Sequence, residues 1–199
     1  MVLPHVVIKP SARHGFGIFA GEPIPMGTVV WHPCARCPVF SPADVAALGS
    51  SQRAQLDEYG YFLEDGGQIL PCTVTFFANH ACHANVLDYG VDFGIAVKDI
   101  AAGEEITGDY RTFASDPPWE VSCACGFPDC AGVVGPRYVT DRLTAWWTAK
   151  VGRAVAELAR VPQPLAASLT ADSAAFAAAR TPGFRPDPAR FSIRQRRSG

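Results

Sequence analysis

Long apolar runs are missing from this 199-residue sequence. No stretch approaches the roughly 20 apolar residues that a membrane span requires. The N-terminal segment also lacks the apolar centre of a secretory signal. These absences predict a protein that is not secreted and that lies in the cytoplasm, or in the nucleus if the source is a eukaryote. Because thiols stay reduced in those compartments, seven cysteines indicate metal binding or packing before disulfides.

Charge is also scarce. Charged residues make up 18% of the chain and hydrophobic residues 48%, which excludes a disordered chain and supplies a packed core. A net charge of −2 argues against binding through bulk positive charge, so we expect no direct nucleic-acid partner and no membrane partner. Residues 180–199 nevertheless hold six arginines against one acid, Asp187. This predicts either a solvated basic tail or a tail that docks on the acidic body or on an acidic partner.

Short β-branched and aromatic segments separated by turns dominate the first 116 residues, which favours a mainly β arrangement over βαβ units. Strands are predicted at 6–8, 17–20, 28–31, 61–63, 68–70, 73–77 and 91–97. A helix is predicted over 41–58, where Ser41 and Asp44 match a capping box. From about residue 140 the chain is rich in alanine. Helices are predicted over 140–161 and over 170–180, the second with Thr170 as a possible cap.

Three closely spaced cysteines form the strongest single motif, Cys123-Ala-Cys125-Gly-Phe-Pro-Asp-Cys130. Gly126 and Pro128 favour turns between them, so the three thiols can converge on one ion. Zinc is the natural candidate because it takes four tetrahedral sulfur or nitrogen ligands. Three ligands are one short of a closed structural site, so the fourth must come from elsewhere in the chain.

Three further motifs are modest when each is taken alone. The segment NHACHAN at 79–85 fits a metal site or packed core residues about equally well. The segment GEEITGDY at 103–110 reads as an ordinary turn between strands. The segment GFGIFA at 15–20 has the glycine spacing of a dinucleotide fingerprint, but Gly21 and Pro23 follow where that fingerprint needs a helix, which excludes it.

The order and spacing of the four motifs resemble those of SET-domain protein-lysine N-methyltransferases with a post-SET zinc-binding cysteine cluster. The resemblance runs from about His14 to Gly132, roughly three fifths of the chain. It implies a mainly β fold, the SET β-clip with a pseudoknot, followed by an α-helical extension. The implied units are a SET domain over 4–115 with a helical insert at about 41–58, a post-SET zinc motif over 119–135, and a helical C-terminal extension with its basic tail over 136–199.

The resemblance also implies an activity: transfer of a methyl group from S-adenosylmethionine to the ε-amine of a lysine in a protein substrate. The implied catalytic residues are Tyr110 and Tyr61. The implied cofactor-binding residues are His14, Gly15, Phe16, Tyr61, Asn79, His80, Tyr110 and Phe113, the last as the nearest aromatic that could cover the adenine. Cys82 matches the fourth ligand of one structural Zn²⁺, whose implied ligands are Cys82, Cys123, Cys125 and Cys130.

The sequence departs from the family pattern at several positions. Phe76 or a neighbour stands where an arginine commonly precedes the NH motif, and Ala81 and Ala84 replace a serine and a proline. Gly108 replaces an aromatic residue that narrows the lysine pore, so either the pore is wider and higher methylation is easier, or another side chain fills the gap. These departures favour a second hypothesis, a SET-like interaction module without catalysis. A third hypothesis is an enzyme that methylates a small amine or its own Lys9, Lys98 or Lys150.

Two features lie outside these hypotheses. Cys34 and Cys37 form a CxxC motif that we interpret as reduced, half-buried thiols, with a second zinc site including Cys72 and a histidine such as His32 as the alternative. Trp146 and Trp147 lie in the predicted C-terminal helix. They are expected to pack on the catalytic body or on a second subunit, which leaves open a homodimer formed through the C-terminal helices.

Overall fold

The computed structural model describes residues 2–63, 65–72, 74–112 and 119–191. The strands are β1 (Val6–Pro10), β2 (Phe16–Ala20), β3 (Val29–Trp31), β4 (Val39–Phe40), β5 (Tyr61–Phe62), β6 (Gln68–Ile69), β7 (Asn79–His80), β8 (Val86–Tyr89), β9 (Phe93–Ala96), β10 (Glu105–Gly108), β11 (Val121–Ser122) and β12 (Val133–Val134). The helices are α1 (Pro42–Ala47), α2 (Ser50–Tyr59), α3 (Asp141–Glu157), α4 (Ala166–Asp172) and α5 (Ala174–Ala179). The predicted mainly β fold with a helical C-terminal portion is confirmed.

The largest sheet brings two of the sequence motifs side by side. Its strands run in the order β1-β2-β10-β8-β9-β3, and β7 also pairs with β10. In the parallel pairing of β10 with β7, Thr107 lies opposite Asn79 and Gly108 opposite His80. Gly108 is also paired with Val86 of β8. The segment that ends in Tyr110 therefore lies against the segment that begins at Asn79, while the threading of these segments as a pseudoknot stays a prediction.

The insert between β3 and the central strands differs from its prediction. A single helix over 41–58 is wrong, because Leu48 has an extended backbone and Gly49 caps a second helix. The Gly49 N–H donates to the side-chain oxygen of Gln52 at 3.3 Å, which supports this new start. The capping box of Ser41 and Asp44 is confirmed at the first helix. Strands β4, β6 and β5 form a small antiparallel sheet beside the two helices.

Two other local predictions need correction. The segment at 73–77 was expected as a strand, but Val74–Phe77 form a 3₁₀ turn in which the Ala78 N–H donates to the carbonyl of Thr75. The helix expected over 170–180 is two helices, α4 and α5. Ser173 caps the second of them, because its hydroxyl accepts a hydrogen bond from the Phe176 N–H at 3.0 Å. Thr170 lies inside α4 and is not a cap.

The C-terminal helices share one hydrophobic core with the large sheet. Trp147 and Val151 of α3 are fully buried together with Phe93 and Ile95 of β9. Thr140 begins α3 by accepting a hydrogen bond from the Leu143 N–H at 3.2 Å. Among the residues that the structure describes, no helix is both long and apolar enough to cross a membrane.

The tail docks on the body as far as the structure describes it. Phe191 is buried in the main core. Arg190 forms an ion pair with Asp92 and lies over the ring of Tyr89. The backbone N–H of Asp187 donates to the Tyr89 hydroxyl at 2.9 Å. This favours the docked interpretation for residues up to 191, and the last three arginines of the tail lie outside the described residues.

Candidate active site and metal centre

A cavity of about 1160 Å³ opens where the turn after β1, the NH motif and the end of β10 meet. That volume is large enough for a nucleoside cofactor together with a side chain from a second molecule, since single-ligand pockets are roughly 300–1,000 Å³. Seven of the eight predicted cofactor-binding residues line it: His14, Gly15, Phe16, Tyr61, Asn79, His80 and Tyr110. The eighth, Phe113, lies outside the described residues.

The glycine-rich turn at one wall of the cavity is held by a neighbouring amide. The side-chain amide of Asn79 donates to the carbonyls of His14 and Phe16 at 3.2 and 3.0 Å. It also lies 2.8 Å from a carboxylate oxygen of Glu105. Any side chain at Gly17 would collide with that carboxylate. Gly17 thus allows close packing of β2 against the Glu105 and Asn79 side chains of β10 and β7.

Two tyrosines line the cavity, Tyr61 and Tyr110. The Tyr110 hydroxyl donates to the carbonyl of Ala78 at 2.7 Å, and burial, aided by Glu105, raises its pKa to about 12. Tyr61 stacks on Trp31 with ring centres 5.3 Å apart. Burial, followed by the negative charge of Asp88, raises the pKa of Tyr61 well above its usual value. Both phenols are therefore neutral at physiological pH and can act as hydrogen-bonding groups.

His80 connects the tyrosine to the cysteine cluster. Its Nδ1 accepts a hydrogen bond from the Tyr110 backbone N–H at 3.2 Å, and its Nε2 lies 3.7 Å from the Cys82 sulfur. Burial lowers the pKa of the imidazole to about 4, so His80 is neutral at physiological pH. A neutral ring that accepts at Nδ1 carries its proton on Nε2 and can donate it to a sulfur.

The four predicted zinc ligands come together. The sulfurs of Cys82, Cys123, Cys125 and Cys130 all lie within 4.8 Å of one another. The distance between the sulfurs of Cys82 and Cys123 is 3.8 Å. Four sulfurs placed tetrahedrally at 2.3 Å from one ion would be about 3.8 Å apart. Backbone N–H groups of Ala131 and Gly132 point at the sulfurs of Cys82 and Cys130, as expected around thiolates.

The chemistry of this donor set fits a divalent ion. Burial raises the pKa of the Cys82 and Cys123 thiols, which opposes their ionisation. Burial acts in the same direction on Cys125, but hydrogen bonds from the backbone and from neighbouring thiols lower its pKa to about 6. A bound dication would favour the thiolate at all four positions. Arg111 adds a nearby positive charge.

A buried carboxylate beneath the tyrosine was not singled out from the sequence. Asp109 is fully buried, and its two oxygens accept hydrogen bonds from the Arg111 guanidinium, each at 2.8 Å. The indole N–H of Trp147 donates to the same carboxylate at 3.1 Å. This arrangement ties the residue before Tyr110 to helix α3. The only signal in the sequence was the position of Asp109 inside the GDY motif.

Three more residues of the site lacked a clear sequence signal. Arg13 lies 3.3 Å from Glu105 and donates to the carbonyl of Cys125 at 2.6 Å, which joins the glycine turn to the cysteine loop. Trp119 lines the cavity with its ring centre 6.5 Å from that of Tyr110. Asp88 also lines the cavity and is buried. Trp119 is thus an aromatic residue after Tyr110 that lines the cavity.

The space left by the glycine at 108 stays open. A methyl group added at Gly108 would have one neighbour within 4 Å, the Asp88 carboxylate oxygen at 3.9 Å. Among the described residues, no other atom outside the neighbouring residues of the chain lies within 4 Å of that methyl group. Phe76, at the position where an arginine is common, lines the same cavity and is 40% exposed.

Comparisons with known proteins agree with this geometry. A family model for the SET domain matches residues 15–111. The chain is 32% identical over 146 residues to the histone-lysine N-methyltransferase ATX2 of Arabidopsis thaliana, an alignment that covers 66% of this chain and 13% of that protein. It is 38% identical over 77 residues to a histone-lysine N-methyltransferase of Aspergillus oryzae specific for lysine 36 of histone H3, covering 34% of this chain and 8% of that protein.

Among solved structures, a candidate histone methyltransferase of Plasmodium falciparum matches with 20% identity and a TM-score of 0.41, covering 55% of this chain and 95% of that one. The turn, the NH motif and the DY motif lie around one cavity. Residues 15–111 form a SET domain, and its homologues include histone-lysine methyltransferases. The chain spans only 13% of the length of the Arabidopsis relative.

Proposed function

We propose that this chain is a protein-lysine N-methyltransferase that uses S-adenosylmethionine and carries one structural zinc ion. The observation that carries the proposal is the convergence of Tyr61, Tyr110, the turn at 14–16 and the NH motif on one cavity. The named activity of the SET-domain relatives supports the same reaction class. The proposed cofactor-binding residues are His14, Gly15, Phe16, Tyr61, Asn79, His80 and Tyr110, with Phe113 retained as a candidate.

S-adenosylmethionine, when bound, would supply a methyl group attached to a positively charged sulfur. A nitrogen–carbon bond forms as the sulfur–carbon bond breaks, so the attacking amine must have lost a proton first. Free lysine has a pKa near 10.4, and an apolar channel favours its neutral form. The neutral hydroxyls of Tyr61 and Tyr110 and the Ala78 carbonyl would align the amine. Orientation of this kind is the main source of rate acceleration for a displacement reaction.

The cysteine cluster would hold zinc as a structural ion. It would fix the hairpin of β11 and β12 to the segment that carries His80, and so keep one wall of the cavity closed. The four sulfur ligands of the ion would come from Cys82, Cys123, Cys125 and Cys130. Tyr110 is linked to the cluster through His80, which accepts from the Tyr110 backbone N–H and has its Nε2 3.7 Å from the Cys82 sulfur.

The substrate lysine would come from another molecule. None of the chain's own three lysines lines the cavity. Lys98 is paired with Glu104 at 3.1 Å, and Lys150 lies 4.0 Å above the ring of Trp146. Self-modification within one copy is therefore disfavoured. Asp57 and Glu58 of α2 line the cavity; Asp57 already pairs with Arg53 at 2.8 Å, so Glu58 is the acid that suits a positively charged peptide segment.

Transfer of tritiated methyl groups from S-adenosylmethionine to proteins of a cell lysate tests the proposal. We expect labelled proteins with the wild-type chain. Tyr110→Phe removes one hydroxyl and should lower the initial rate by about 10²–10⁴, the range for a lost positioning or proton-handling group. Tyr138→Phe removes the hydroxyl of a surface tyrosine outside the cavity and is the matched control.

Calorimetry separates the outcomes. Cofactor affinity should change less than threefold in Tyr110→Phe, because the ring that lines the cavity remains. Full turnover in this variant would contradict the catalytic role proposed for Tyr110. No binding of S-adenosylmethionine by the wild-type chain at high micromolar concentration would favour the alternative, a SET-like module that binds partners without catalysis.

A further inference from the structure

A second cluster of thiols lies away from the first. The sulfur of Cys34 is 3.9 Å from that of Cys37 and 3.5 Å from that of Cys72. All three sulfurs lie within 4.8 Å of one another. Cys72 is 38 residues from Cys34 along the chain, so the fold and not the local sequence brings them together. We propose that these three cysteines form a second zinc site.

The distances match ligation better than packing. Two sulfurs bound to one tetrahedral zinc ion would be about 3.8 Å apart, and the two measured separations lie on either side of this value. Cysteines that serve as small hydrophobic residues are normally buried. Here Cys37 is buried, Cys34 is half-buried and Cys72 is exposed. An exposed thiol held against two others is unusual for packing and ordinary for a metal site near the surface.

The backbone around the CxxC segment is already arranged for thiolates. The N–H of Cys34 donates to the Cys37 sulfur at 3.4 Å. The backbone of Arg36 donates to the Cys34 sulfur. The N–H of Cys37 donates to the carbonyl of Cys34 at 2.8 Å, which closes a tight turn. Hydrogen bonds of this kind disperse the negative charge of sulfur and keep the two thiols on one side of the turn.

The proposed site has three protein ligands. His32, the fourth ligand considered from the sequence, is fully buried and uses its ring nitrogens elsewhere. Its Nε2 lies 2.8 Å from the Ser168 hydroxyl, and its Nδ1 contacts the Pro33 carbonyl at 2.5 Å. Among the described residues no other histidine or acid joins the cluster. The fourth position of the ion would be held by water, and three thiol protons would pass to solvent on binding.

The location gives the site a structural role. Cys34 and Cys37 come just before β4, and Cys72 comes just after β6, so the cluster lies at the neck of the insert that contains α1, α2 and β5. Apart from the cluster, β4 and β6 join this neck, and the Leu70 N–H bonds the Pro38 carbonyl at 2.9 Å. Coordination of an ion here would join the two ends of the insert at its base. It would thereby stabilise the position of β5, which carries Tyr61.

Site-resolved alkylation of the full-length chain tests the proposal independently of methyltransferase activity. The zinc-loaded protein would be treated with iodoacetamide before and after a strong chelator, and each cysteine would be quantified by peptide mass spectrometry. Because Cys72 is exposed, iodoacetamide can reach a free thiol there, whereas a zinc-bound thiolate is protected. We expect chelation to raise its labelling rate at least tenfold, and elemental analysis to find two zinc ions per chain.

Variants separate the two clusters. Cys34→Ser should leave one zinc ion per chain and expose Cys72 to alkylation even in the presence of zinc, while labelling of Cys82 stays as in the wild type. Cys125→Ser should have the reverse pattern. The proposal fails if Cys72 reacts at the same rate with and without the chelator. It also fails if Cys72 is protected by a disulfide, recognised as a mass two units lower that only a reductant restores.

Discussion

Gly108 is the single residue with the clearest consequence for the product. Its backbone does not need glycine, since its φ is outside the left-handed region, and its missing side chain leaves open space up to the Asp88 carboxylate. An open pore leaves room for an amine that already carries methyl groups. For the proposed methyltransferase activity, we expect the wild-type chain to form dimethyl- and trimethyl-lysine, and Gly108→Phe to stop mainly at the monomethyl product, as intact-mass analysis of a lysine peptide would record.

Gly108→Ala is the matched control for that substitution. A methyl group meets only an oxygen at 3.9 Å, so the product distribution should remain that of the wild type. Monomethyl product alone from the wild-type enzyme at saturating S-adenosylmethionine would contradict the wider pore.

Asp88 makes the stability of the protein depend on pH. Burial raises its pKa to about 7, against the opposing effect of hydrogen bonds from Trp31 and Thr112. In the unfolded chain the same carboxyl ionises near its ordinary value of 3.8. Between these two pH values the unfolded chain loses its proton first, so the contribution of Asp88 to stability falls as pH rises and is lowest above 7.

Asp88→Asn removes this ionisation while retaining a polar group of the same shape. We expect the difference in melting temperature, variant minus wild type, to be larger at pH 8 than at pH 5. Thermal unfolding at both pH values would measure it. Asp99→Asn removes an exposed carboxylate and controls for the change in net charge. An equal difference between Asp88→Asn and the wild type at both pH values would show that Asp88 is ionised throughout.

At the scale of elements, helix α3 supports the strand end that carries Tyr110. The Trp147 indole donates to Asp109, and the ring packs beside Arg111 at 6.0 Å. Trp147→Phe keeps an aromatic ring but removes this donor. We expect a loss of about 1–3 kcal/mol in the free energy of unfolding, because a buried carboxylate loses one of its hydrogen bonds. Urea unfolding followed by circular dichroism would measure it.

Trp146→Phe controls for the removal of an indole from the same helix. Trp146 is only partly buried and contacts Lys150 and His83 near the surface. Its substitution should cost less than about 1 kcal/mol. Equal losses in the two variants would mean that the hydrogen bond to Asp109 contributes little to the docking of α3.

Features that depend on neighbours along the chain could be predicted from the sequence. The cysteine cluster at 123–130, the capping box at Ser41 and the strand-rich first half all rest on local spacing. The pairing of Cys72 with Cys34 and the bond from Trp147 to Asp109 join residues 38 positions apart, and no local pattern marks them. The break between α1 and α2 escapes prediction because the composition of 41–58 is otherwise helical. In the structure Gly49 nevertheless starts a second helix.

At the scale of the whole molecule, the first cysteine cluster connects the hairpin of β11 and β12 to the SET domain. Besides the sulfurs, the described links between the two include the bond from Arg13 to the Cys125 carbonyl and the contact of His83 with Asp129 at 2.9 Å. The second link is exposed and contributes little. The small core around Ala81 and Val134 is itself built largely from the cysteines.

Removal of the proposed zinc ion should therefore loosen one region of the molecule before the rest unfolds. We expect a strong chelator to increase amide hydrogen exchange at 119–135 and at 80–82 by tenfold or more, while β2, β9 and α3 stay protected in the main core. Because His80 and the cavity wall belong to the loosened region, affinity for S-adenosylmethionine should fall at the same chelator concentration. Cys82→Ser should reproduce the exchange pattern without chelator. Uniform exchange across the sheet and the hairpin would instead mean that the ion supports the entire fold.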